Sequence, residues 1–279
     1  LLHQVFNFLY KQLFYGNFFI AIGASCLAWE SFIIYNRPIN NHEQLFIVLQ
    51  FFITFFAYQF HRFFGVRLAQ PPLLTNRHRW YNEHYFLQLL LSFIALAFSV
   101  FILIQLPFSI MLSLLPAAGI ALLYNIKIKH FKGLRHLSGI KTIVIALAWA
   151  LSIALPYFVF YFQLNQAIVI FIRCFVFIYS ITIPFDIRDL ERDPVWLKTL
   201  PQTLGITAAK IISIIGLLFY WVINIYINRL LLFTDGIVIL IAIILIIKTK
   251  PNLNDGYFLI GFDGLLILKS LLIKLIVKG

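Results

Sequence analysis

The sequence predicts an all-α integral membrane protein, and two observations carry that prediction. Of the 279 residues, 62% are hydrophobic and 11% are charged, whereas soluble domains run about 45–50% apolar and about 25% charged. The apolar residues also gather into runs close to the ~20 residues that a helix needs to cross a bilayer. Nine such runs are expected as spans, at residues 14–35, 45–64, 86–105, 107–126, 140–162, 166–185, 206–226, 230–247 and 257–276. The length suits one bundle, so a single domain is expected over residues 1–279.

Taken in order, the first run follows a polar, aromatic start and is long enough to span, so no cleaved signal is expected. The third and fourth runs are parted only by Leu106-Pro107, and the fifth and sixth only by Gln163-Leu164-Asn165, which makes each pair a tight helix hairpin. The remaining loops alternate in charge. Arg62, Arg67, Arg77 and Arg79 lie around the second loop, and Lys127, Lys129, Lys132, Arg135 and Lys141 around the fourth. Arg188, Arg192 and Lys198 follow the sixth span, and Lys248 and Lys250 the eighth; the opposite loops carry little beyond Arg37 and Arg229. Basic loops stay in the cytoplasm, so the N-terminus is expected inside and the C-terminus outside an inner or plasma membrane. The net charge of +12 then marks cytoplasmic loops and contacts with anionic lipid or phosphate rather than nucleic acid. Cys26 and Cys174 sit inside apolar runs and read as packing residues, not a disulfide.

The chemistry is expected in one stretch. Four of the ten acidic residues fall between Asp186 and Asp193, at the mouth of the sixth span. At about 100° per residue, a helix carried through this stretch places Asp186, Asp189 and Asp193 within an arc of about 60°. Arg188 and Arg192 then point the other way. Carboxylates entering hydrocarbon cost roughly 2.5–3.5 kcal/mol each, so a co-facing trio asks for a counter-charge, and a divalent cation supplies one. The alternative is a solvated helix end laced by weak pairs such as Asp189 with Arg192. Two further stretches bear on the same end. Tyr124-Asn125-Ile126-Lys127-Ile128-Lys129 offers lysines suited to a phosphorylated substrate, or simple topology markers. Lys198-Thr199-Leu200-Pro201-Gln202-Thr203-Leu204-Gly205 brings another lysine close in sequence to the acids, or is loop punctuation.

These stretches resemble the UbiA-type intramembrane prenyltransferase superfamily. The resemblance lies in Asp186-Ile187-Arg188-Asp189-Leu190-Glu191-Arg192-Asp193, followed by Lys198-Thr199-Leu200-Pro201 and Gly205, and in the basic segment from Tyr124 to Lys129 with Lys141 opening the next span. It implies a nine-helix bundle with a central cavity opening to the cytoplasmic side. It also implies transfer of an isoprenyl group from an isoprenyl diphosphate to an aromatic or other hydrophobic acceptor, with Mg²⁺ assistance. Carried over, Asp186, Asp189 and Asp193 are the metal-facing catalytic acids, and Lys127, Lys129, Lys141 and Lys198 face the diphosphate. The family's first aspartate-rich motif belongs at the end of span 2, where this chain reads Tyr58-Gln59-Phe60-His61-Arg62 and has no aspartate. Gln59, His61 and Arg62 are the candidates to touch phosphate there. The departure opens a second reading, a catalytically impaired relative that binds a polyprenyl phosphate or a membrane partner without turnover. A transporter is disfavoured because the acids cluster at one end rather than at the midplane. A CDP-alcohol phosphatidyltransferase is disfavoured because the Asp-Gly spacing of that motif is missing. Glu30, Asp235 and Asp263 stand as isolated acids within apolar runs.

Overall fold

The computed structural model describes residues 2–68, 76–125, 133–134, 137, 139–227 and 229–277. Among these, 86% are helical and no strand occurs. Eleven α-helices follow in order: α1 (Leu2–Phe14), α2 (Phe18–Ile33), α3 (Asn41–Leu68), α4 (Asn76–Glu83), α5 (Tyr85–Gln105), α6 (Phe108–Asn125), α7 (Lys141–Tyr161), α8 (Leu164–Arg188), α9 (Leu200–Ile223), α10 (Arg229–Lys248) and α11 (Asp255–Val277).

Six of the helices are long and apolar enough to cross a membrane, lying in α3, α5, α7, α8, α9 and α10. A seventh is reached when α1 and α2, bent by 47° at their junction, count as one span. This is fewer than the nine expected. The fourth run gives α6, whose described apolar part, Phe108–Tyr124, falls in the shorter class. The ninth run gives α11, which is not among these six and carries Asp263, Lys269 and Lys274 within the run.

The helix ends follow local chemistry. Asn17 joins α1 to α2 at φ 67°, ψ 11°, a left-handed conformation that asparagine tolerates better than most residues. The α7–α8 hairpin turns at Phe162, also left-handed at φ 52°. α9 opens with Pro201 in its first turn, and the Gln202 side chain accepts the Thr199 N–H at 3.0 Å. Gly205 then kinks the same helix at φ 83°, ψ 163°, a region open essentially to glycine alone.

Packing runs from neighbour to neighbour: α2 on α3, α3 on α5, α5 on α6, α6 on α7, α7 on α8, and so on to α11, which closes the circuit on α2. Inside lie fully buried aromatics, among them Phe32, Phe46, Tyr157, Phe177, Tyr220, Phe258 and Phe262. Outside, large apolar side chains stand exposed, such as Phe86, Phe93 and Phe101 on α5, Ile215 and Phe219 on α9, and Phe233 and Leu240 on α10. An exposed apolar belt of this extent suits lipid, not water. The antiparallel course brings the C-terminal ends of α3, α8 and α10 to the same side as the N-terminal ends of α2, α7, α9 and α11. The site is built on that side.

Candidate functional site

The acidic stretch does not continue as a helix. α8 ends at Arg188; the Asp189 N–H still bonds the Phe185 carbonyl at 3.0 Å, and the chain then turns, with the Asp193 N–H on the Asp189 carbonyl at 2.7 Å. Pro194 follows and disfavours a helical Asp193. Asp186 is therefore on the helix, Asp189 at its end and Asp193 in the turn beyond, which corrects the expectation of three rungs on one helical face.

A cation already sits among these acids. Lys141, the first residue of α7, places Nζ 2.9 Å from Asp186 Oδ1 and 2.8 Å from Asp193 Oδ2. Asp186 is 1% exposed, and Thr142 Oγ1 donates to its second oxygen at 2.7 Å. Arg188, expected to point away from the acids, instead grips Asp189 through Nε and Nη2 at 2.8 Å each and lies 3.4 Å from Asp255 at the start of α11. Its guanidinium also stacks 5.2 Å from the Phe185 and Phe258 ring centres, a cation–π arrangement. Arg192 adds a longer contact to Asp189 at 3.7 Å. Burial alone would raise the Asp189 carboxyl, but the Arg188 fork, with Lys141 and Arg192 nearby, holds it below the usual carboxylate range.

The second half of the site lies at the end of α3. Gln59, a candidate phosphate contact, is fully buried and its amide is spent. Gln59 Nε2 donates to Gln88 Oε1 at 2.7 Å and to the Gly16 carbonyl at 3.1 Å, while Gln59 Oε1 accepts from Asn17 at 3.3 Å. Its role is to fix Asn17. The Asn17 Oδ1 atom then accepts from Arg77 Nη2 at 2.6 Å and from Arg62 Nη2 at 3.5 Å. Arg62 thus lies beside Arg77 at the end of α3. Arg77 was not singled out, because in the sequence it was one of several loop charges. The signal was its place three residues before Trp80-Tyr81, an aromatic pair that buries itself and pins α4 to the bundle. Tyr81 completes the tie by donating to the Gln59 carbonyl at 3.5 Å.

Burial lowers the Arg77 guanidinium from its ordinary value; Arg188 lowers it further, while Asp263 and Asp255 oppose the shift. Burial likewise pushes the Tyr81 hydroxyl up to about 12, with Arg62 opposing. Arg62 and Arg77 meet at Asn17 Oδ1, and Arg188 reaches Asp255 at the same end of the bundle. A polar cavity of about 360 Å³ adjoins it, lined by Tyr15, Asn76, Arg192, Asn252, Leu253, Asn254 and Asp255.

The His61 ring packs edge-on to Tyr124 at 5.3 Å. Lys198 is exposed, in a left-handed conformation after the turn Val195–Leu197, and is not among the cations paired with the acids. Lys127 and Lys129 lie outside the described residues.

The resemblance implies Mg²⁺, and the donor set does not fit it. The end of α3 offers Gln59, whose amide is committed, and Arg62, a cation. Among the described residues, no group of three His, Cys, Asp or Glu is placed to hold a metal ion. Asp186 and Asp193 are bound to Lys141 and Asp189 to Arg188, so a divalent ion would have to displace resident cations.

A second polar cluster lies deeper among the helices and joins two acids that seemed isolated. Arg173 of α8 bonds Glu30 of α2 at 2.9 Å and Asp235 of α10 at 3.2 Å; Lys269 of α11 bonds Glu30 at 2.9 Å. Asp235 also accepts from Tyr220 at 2.6 Å and from Asn224 at 2.7 Å. Two cations and two anions make the cluster neutral, as burial in hydrocarbon demands. Cys26 and Cys174 are free thiols.

Compared with protein-family models, curated proteins and solved structures, the chain matches none of them.

Proposed function

We propose that this chain handles an isoprenyl diphosphate in the membrane, as a UbiA-type prenyltransferase, taking the charged head at the polar end and the isoprenyl tail among the helices. One observation supports it most: Arg62, Arg77, Lys141 and Arg188, from four different helices, gather at the end of the bundle that also carries the acidic stretch and the polar cavity. A cationic cradle of this kind stabilises a departing diphosphate. In the transfer, the allylic carbon–oxygen bond breaks and the diphosphate leaves with the electron pair. The hydrophobic acceptor supplies the new bond to carbon and afterwards loses a proton.

With the bent α1–α2 pair, α6 and α11 each counted as a span beside the six, the described helices give nine. The basic loops support reading this end as cytoplasmic, with the N-terminus inside and the C-terminus outside. A second reading, retention of an isoprenyl or polyprenyl phosphate without turnover, is favoured by the carboxylates being already engaged by Lys141 and Arg188.

Purified protein in nanodiscs, given labelled farnesyl or geranylgeranyl diphosphate and a panel of aromatic acceptors, decides between them. Prenylated product that Asp186→Ala and Asp189→Ala both abolish supports transfer. Saturable binding with no product supports retention. Neither product nor binding removes the isoprenoid reading.

A further inference from the structure

We infer that the ligand's phosphate head is bound directly by the Arg62 and Arg77 guanidiniums, without a bridging divalent cation. The inference rests on the isoprenoid-phosphate reading above and specifies how that ligand is held.

The argument begins with a mismatch of donors and acceptors. A guanidinium carries five N–H donors and no acceptor. Among the described residues, Arg62 and Arg77 share one neutral acceptor, Asn17 Oδ1. The Nε of each is buried and, among the described residues, has no hydrogen-bond partner. Among the described residues, neither side chain reaches a carboxylate at ion-pair distance: Asp186 and Asp193 are taken by Lys141, and Asp189 and the nearer oxygen of Asp255 by Arg188. Asp255 and Asp263 act on Arg77 only at longer range, and Arg188 repels it. Two like-charged forks held side by side, each with a buried Nε that finds no partner among the described residues, cost free energy that a tetrahedral oxyanion would offset. Guanidinium matches phosphate bidentately and is the better residue for it than lysine.

The scaffold is built to hold this pair in place. Asn17 is fixed by Gln59, which is fixed by Gln88, which donates in turn to Gln12 at 2.9 Å. This buried line of amides sets the acceptor that orients both arginines. It stands at the stretch where the resemblance would put the metal-binding motif, so arginine here replaces the metal's charge rather than competing with it.

The test is equilibrium binding of labelled farnesyl diphosphate to the full chain in nanodiscs, in EDTA and then with excess Mg²⁺, with inorganic diphosphate as competitor. Expected is saturable binding in EDTA, altered by Mg²⁺ less than about threefold and displaced by inorganic diphosphate. Arg62→Gln and Arg77→Gln should each weaken binding by roughly tenfold or more. Arg77→Lys keeps the charge and safeguards folding; it should weaken binding severalfold through loss of the fork. Binding that appears only with Mg²⁺, resists inorganic diphosphate, or survives unchanged in both glutamine variants overturns the inference and leaves the isoprenoid reading standing. Absence of binding in both buffers overturns the two together.

Discussion

Arg188 holds Asp189, its immediate neighbour in the chain, through two parallel hydrogen bonds of 2.8 Å. Adjacent residues on a regular helix diverge by about 100°, so the contact is possible because α8 stops there and Asp189 turns back over its end. The pair joins the terminus of α8 to α11 through Asp255.

This pair makes stability depend on acidity. The folded Asp189 carboxyl titrates below its ordinary value of about 3.9. Between the folded and unfolded values, the unfolded chain binds more protons, so stability rises with pH there. The contribution is complete above the unfolded value and disappears as pH falls through the folded one. The melting temperature in detergent should drop on acidification below about pH 4. Asp189→Asn should flatten that drop and cost about 1–3 kcal/mol at neutral pH.

Lys141 neutralises two acids at once. Lys141→Met leaves Asp186 buried against Thr142 alone, and removal of one partner from a buried pair costs about 3–5 kcal/mol. The double variant Lys141→Met/Asp186→Asn should melt above Lys141→Met, since it removes the stranded charge. A double variant less stable than the single one would mean that Lys141 acts here by packing.

The deeper cluster predicts the same pattern across α2 and α11. Glu30→Gln and Lys269→Met should each lower the melting temperature markedly. Together they should cost less than the sum of the two, with a coupling of about 0.5–3 kcal/mol. Additive losses would show that Glu30 and Lys269 do not share an ion pair in the membrane.

Helix contact between α8 and α9 depends on Gly216. A Cβ there would run into Ser180 Oγ but would clear Ser180 Cβ at 3.5 Å. Gly216→Ala should therefore destabilise by about 1–3 kcal/mol, and Ser180→Ala in the same chain should recover most of it. Small residues at such crossings let helix backbones approach.

Much of the fold was legible because hydrophobic runs report helices directly: each expected run overlaps one of the helices now seen. The stretch Thr199-Leu200-Pro201-Gln202, read as a phosphate contact or a loop ahead of a span at residue 206, instead opens α9. The pairing was hidden. Periodicity ranks the faces of one helix and says nothing of which helix lies opposite. Hence Lys141 read as a phosphate contact when its closest partners are Asp186 and Asp193, and Arg173 passed unnoticed inside its apolar run. The end of α8 was misjudged because angular arithmetic assumes that the helix continues, and Pro194 acts on Asp193 against that. Gln59 was legible as polar, but only the packed structure shows its amide facing inward to Asn17 and Gln88 rather than outward to a ligand.

The neutral cluster has a consequence for biosynthesis. Glu30 leaves the ribosome 143 residues ahead of Arg173, and Lys269 emerges later still. Until then α2 carries a lone anion with no counterpart to follow it into the bilayer. Release of that first segment into lipid is thus tied to the arrival of α8 and α11, and nascent chains cut short before α8 should linger at the translocation machinery and be degraded. The late helices act as a checkpoint on the early one.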